Sequence, residues 1–101
     1  MEERKDYSGP FIRHFRYEDF SKEFLGKLLC EYGRLYELID GLWYSTTAKE
    51  VGPQKAWEWE MKVWRAIPPH VMKGLKKVGN FEGRDLYTMF KAVQLDPCYT
   101  E

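Results

Sequence analysis

The sequence predicts an all-α protein: a small helical bundle with one long helix, one antiparallel helix, two short helices and an extended aromatic N-terminal arm. Leu25, Leu28, Tyr32, Leu35, Ile39, Leu42 and Thr46 recur at alternating steps of three and four, with Leu29, Tyr36 and Trp43 beside them at steps of seven. That is the period of one helix face, and a stripe so wide calls for other helices against it. Helix stops at Gly52-Pro53, Pro68-Pro69, Gly79-Asn80 and Asp96-Pro97 divide the rest. No segment alternates with a period of two, so no strand is indicated.

The elements follow in order. Residues 1–20 form the arm, with a break at Ser8-Gly9-Pro10 and the rings of Phe11, Phe15, Tyr17 and Phe20 available to pack on the helices or to order on a partner. Residues 21–101 form the helical domain. Ser21 is a natural N-cap, since its hydroxyl can accept from an unpaired first-turn N–H, and Phe20 with Leu25 fits a hydrophobic staple. The long helix ends near Val51, where Gly52 can adopt positive φ and Pro53 cannot continue the ladder. Thirty residues make a rod of about 45 Å.

Pro53 suits the first position of a second helix, and the short connection predicts an antiparallel neighbour. Trp57, Met61 and Trp64 read as its buried stripe, with Trp59 and Val63 on the flank. Pro68-Pro69 are expected to break it. A third helix over 70–78 would turn Val71, Met72, Leu75 and Val78 inward and Lys73, Lys76 and Lys77 outward. A fourth over 84–94 would turn Leu86, Phe90 and Val93 inward.

Composition bounds the function. The chain has 101 residues, enough for one domain, with 44% apolar and 32% charged residues. Aromatics reach 17%, a content read first as a small core filled with large rings and second as an interface or ligand pocket. Formal net charge is zero. Residues 1–50 carry eight basic and ten acidic side chains, and residues 51–101 carry eight and six, so neither half makes the field that nucleic-acid binding needs. Near-zero charge favours self-association. Cys30 and Cys98 form no disulfide framework, and no apolar run approaches a membrane span. The cytoplasm is the expected compartment.

Candidate chemistry is sparse. Asp40 and Gly41 are poor helix formers in a strong helix; the plain reading is a solvated Asp at the edge of the stripe, and the sharper ones are a ligand, a polar network or close approach of another backbone. Gly26 and Gly33 share the Asp40 face and could admit a neighbouring helix or leave a groove. Glu58 and Glu60 straddle Trp59, so at most one faces inward. If Glu60 reached Asp40, two carboxyls would share a site and one pKa would rise. A ligand pocket would therefore gather Asp40, Trp43, Tyr44, Trp57 and Glu60. His14 and His70 belong to no metal-ligand spacing, and no metal, cofactor or catalytic residue is assigned. The Lys73–Lys77 cluster reads as a solvated face.

Four segments read together carry a resemblance: Lys5 to Phe11, Tyr17 to Glu23, Asp40-Gly41-Leu42-Trp43-Tyr44, and Trp59 to Trp64. They resemble a family of uncharacterised prokaryotic cytosolic proteins, distantly similar to the helical part of the L-2-amino-thiazoline-4-carboxylic acid hydrolase-like proteins. Members look about twice as long, with a mixed α/β second half bearing Cys and His residues. The resemblance implies the helical half alone, with Asp40, Trp43 and Tyr44 in a matching motif and no catalysis by this chain by itself.

The function expected is a helical protein-interaction subunit, a homo-oligomer or a component of a complex, touching neither nucleic acid nor membrane. A small-molecule-binding or hydrolase-like domain around Asp40 is the alternative. Leu35→Ala is expected to cost about 2–5 kcal/mol if Leu35 is fully buried.

Overall fold

The computed structural model describes residues 3–97, and among them every regular element is helical. A 3-10 turn, Tyr17–Asp19, precedes α1 (Lys22–Val51), α2 (Pro53–Gly79) and α3 (Leu86–Gln94). The all-α class and the long helix are as expected. The second helix is not short: α2 has 27 residues beside the 30 of α1.

The ends of α1 follow local chemistry. Ser21 Oγ accepts from the Phe24 N–H at 3.1 Å. Phe20 stacks on Phe24 with ring centroids 4.6 Å apart. At the other end one residue joins two long helices. Gly52 has φ 92° and ψ 156°, a conformation open to glycine. Its N–H donates to the Ala48 carbonyl at 2.9 Å and its carbonyl accepts from Ala56 at 3.1 Å. Gly52 therefore caps both helices, and Pro53, at the first position of α2, removes an N–H that would have had no partner.

Pro68-Pro69 do not break the chain, and the expected helix over 70–78 is the last third of α2. Two prolines remove the ladder bonds to the carbonyls of Trp64 and Arg65. Residues 62–71 are all exposed, so water can take those carbonyls. The helix ends at Gly79, with Asn80 left-handed and both the Asn80 and Phe81 N–H groups returned to the Lys76 carbonyl.

α3 starts at Asp85, whose Oδ1 accepts from the Thr88 N–H at 2.9 Å and the Thr88 hydroxyl at 2.7 Å. These bonds, the hydroxyl's first, hold the Asp85 carboxyl below its ordinary range. Thr88 and Ala92 are the buried residues of α3. The expected inward set is displaced: Leu86 and Phe90 are exposed and Val93 is half-buried. In the last third of α2, Met72 and Leu75 are half-buried as expected, whereas Val71 is exposed and Val78 is 86% exposed.

The arm closes on itself. Arg4 pairs with the backbone around Phe20 through bonds of 2.8 Å to Asp19 and from Ser21. Tyr7, Phe15 and Phe20 cluster with ring centroids 5.4–6.2 Å apart. Among the described residues Phe20 is the largest apolar side chain buried, at 3% exposure, and the other buried apolar side chains are Ala56 and Ala92.

The other helices are expected to cover the α1 stripe except where α1 outreaches them, and most of the stripe is left uncovered. Leu25, Leu28 and Leu35 are half-buried, but Leu29, Tyr32, Tyr36, Ile39, Leu42 and Trp43 are exposed. The face of α1 turned to α2 is the row through Asp40, Tyr44 and Thr47, roughly 100° round the helix from the stripe. The α2 stripe fails in the same way: Trp57 and Trp64 are exposed and Met61 half-buried, while Ala56 and Glu60 face α1.

Candidate functional site

Asp40 is held mid-helix on α1, and Glu60 lies two turns into α2. The fold-back at Gly52 brings the two carboxyls into hydrogen-bond contact, the juxtaposition that Glu60 needed to reach Asp40. The bond to Glu60, partial loss of water and the neighbouring negative charge, in that order, push the Asp40 carboxyl above its ordinary range. Glu60 Oε1 also accepts from the Trp64 indole N–H at 2.8 Å. Glu58 is exposed, so of the pair flanking Trp59 one faces inward.

Toward the hinge, Trp43, Tyr44 and Thr47 of α1 meet Ala56, Trp59, Glu60 and Val63 of α2 around a cavity of about 30 Å³. That space admits about one water molecule. Thr47 donates to the Trp43 carbonyl at 2.7 Å, and Lys55 Nζ stands 5.5 Å above the Trp59 ring.

Of the five residues proposed for a pocket, Trp43, Tyr44 and Glu60 line the cavity, and Asp40 joins them only through Glu60. Trp57 does not line the cavity and is 55% exposed; Trp59 stands in its place. The signal for Trp59 was present: Ala56, Trp59, Glu60 and Val63 follow helical steps of three, one and three. It is hard to see because Trp57 and Trp64 form a more apolar row. On the α1 face Gly33 is buried, but Gly26 is exposed with open space where a Cβ would stand.

The remaining candidates scatter. His14 and His70 are exposed, Cys30 is half-buried, and Cys98 lies outside the described residues. Lys76 is not a solvated outward lysine: half-buried, it donates to the Gly83 carbonyl at 2.7 Å and braces the α2–α3 loop. Among the described residues no group of His, Cys, Asp and Glu is arranged to hold a metal ion, and no helix is long and apolar enough to cross a membrane.

No protein-family model, no curated protein and no solved structure matches the chain.

Proposed function

We propose that this chain is a helical protein-interaction subunit that completes its core against a partner and carries no catalysis of its own. One observation supports the reading above the rest. The accessible surface is 9263 Å², whereas a compact monomer of 12.1 kDa exposes about 6,000 Å². The excess, about 3,200 Å², has the size of an interface. The radius of gyration agrees, at 17.8 Å against about 13 Å for a compact chain of this length. On this reading α1 and α2 form an antiparallel hairpin that packs through Tyr44, Thr47, Ala56 and Glu60 with Trp43 and Trp59 at the edge, and most of the large rings of the α1 stripe are kept for another molecule. Contiguous exposed apolar surface of this kind marks partner sites.

Native mass spectrometry of the gently purified protein tests the reading. A dimer, a higher assembly or a bound partner is the expected outcome. A bare 12.1 kDa monomer at high concentration, with no partner recovered, would sink it.

The carboxyl pair favours a second reading, a small-molecule-binding or hydrolase-like domain around Asp40. There the Asp40→Asn variant loses ligand binding or activity with its helicity intact. A change confined to stability removes that reading.

A further inference from the structure

We infer that the partner is a second copy of this chain, docked with the two α1 helices antiparallel about a two-fold axis between Leu35 and Tyr36. The inference rests on the interaction reading and names its occupant.

Three observations converge on a copy. The first is area. An obligate homodimer removes roughly 1,000–2,500 Å² from each partner, and the excess surface of this chain, about 3,200 Å² by size scaling, supplies that in full.

The second is the symmetry of the stripe. A two-fold interface must be self-complementary, because each patch meets its own image. Antiparallel pairing about the midpoint of α1 brings Leu25 to Thr46, Tyr32 to Ile39 and Leu35 to Tyr36. The other stripe positions pair among themselves in the same way, so no apolar position is left facing a charge. None of the ten stripe residues is charged.

The third is electrostatic. With a formal net charge of zero, two copies approach without the repulsion that a strongly charged chain would meet. The docking face also continues beyond α1. Trp43 lies on the stripe and shares its cavity with Trp59 and Val63, both exposed, so α2 extends the same apolar surface.

Tyr36 is the residue for the test. It is 72% exposed within the chain, so replacing it leaves the monomer's packing alone. Near the axis each substitution is doubled. The full chain should behave in light-scattering chromatography as a species of twice 12.1 kDa. Tyr36→Arg and Tyr36→Glu should each weaken self-association about 100-fold or more, since like charges are set face to face. Mixing the two variants should restore a one-to-one dimer. Native helicity in both variants separates lost docking from lost folding.

Persistence of the dimer in each variant, or failure of the mixture to re-form it, overturns the arrangement. A monomeric wild type that captures a different protein, with capture lost in Tyr36→Arg, overturns the second copy and leaves the interaction reading standing. A monomeric wild type whose behaviour no stripe substitution alters overturns both.

Discussion

Two aromatic regions of this chain meet opposite fates. In the arm, Tyr7, Phe15, Phe20 and Phe24 find one another, because the 3-10 turn at Tyr17–Asp19 and the Arg4–Phe20 pairing fold the backbone back within a short loop. On α1, Tyr32, Tyr36 and Trp43 lie on a straight rod and remain exposed. Rings are alike in the two places; what differs is whether the local backbone can return on itself. A helix cannot cover its own stripe, and α2 packs on the neighbouring face, through Tyr44, Thr47, Ala56 and Glu60, instead. The arm packs its rings around buried Phe20, with Tyr7 and Phe15 at an open rim, whereas the stripe is left uncovered within the chain.

The comparison breaks most readily at Phe20 and Tyr36. Phe20→Ala removes a buried ring and should destabilise the chain by about 3 kcal/mol. Tyr36→Ala removes an exposed one and should change the stability of dilute monomer by no more than about 0.5 kcal/mol. Denaturant midpoints measured over a range of protein concentrations separate the two. On the self-association reading the Tyr36 effect should grow with concentration and the Phe20 effect should not. Equal losses at high dilution would mean that the stripe is already covered within one chain.

Leu35 sharpens the same contrast. It lies on the stripe yet is half-buried, so Leu35→Ala should cost dilute monomer about 1 kcal/mol, below the loss expected of full burial. A loss of about 3 kcal/mol or more in dilute solution would place Leu35 in a true intrachain core.

Local signals were legible where a single residue decides the outcome. Ser21, Gly52-Pro53 and Gly79-Asn80 each act through backbone conformation or one hydrogen bond, and each stands where the sequence places it. Pro68-Pro69 misled because a proline's cost depends on whether water can reach the freed carbonyls, and exposure is a tertiary property. The inward faces of α2 and α3 were misread for a related reason. Hydrophobic periodicity reports which face seeks burial, not which molecule buries it, so rows of rings were expected where Ala56, Thr88 and Ala92 make the contacts. At the site, Asp40 stood out as an expensive residue in a strong helix, and Glu60 was its conditional partner. Their meeting depends on the one-residue hinge at Gly52, since a longer connection would shift the register between the helices.

That meeting has a pH signature that also separates structural from binding roles. Glu60 raises the Asp40 pKa in the folded chain above its unfolded value. A raised folded pKa means that the pair's stabilising contribution is complete below the unfolded value and is lost as pH rises through the folded one. As pH rises through the folded Asp40 value its proton is lost, and its negative charge then faces Glu60 across the helix pair. The substitution Asp40→Asn puts an amide in place of the carboxyl, which keeps a donor to Glu60 and removes that repulsion. Asp40→Asn should therefore stabilise the chain by a few tenths of a kcal/mol at pH 7, a size set by solvent screening of an exposed pair. The advantage should vanish near pH 3, where Asp40 is protonated. Glu60→Gln should show the same trend, and the double variant should add little, because either change removes the same repulsion. The measurement is the difference in denaturant midpoint between variant and parent from pH 3 to pH 8. A difference that is flat with pH, or one that favours Asp40 at pH 7, would mean that the two carboxyls do not face each other and that α1 and α2 pack in another register.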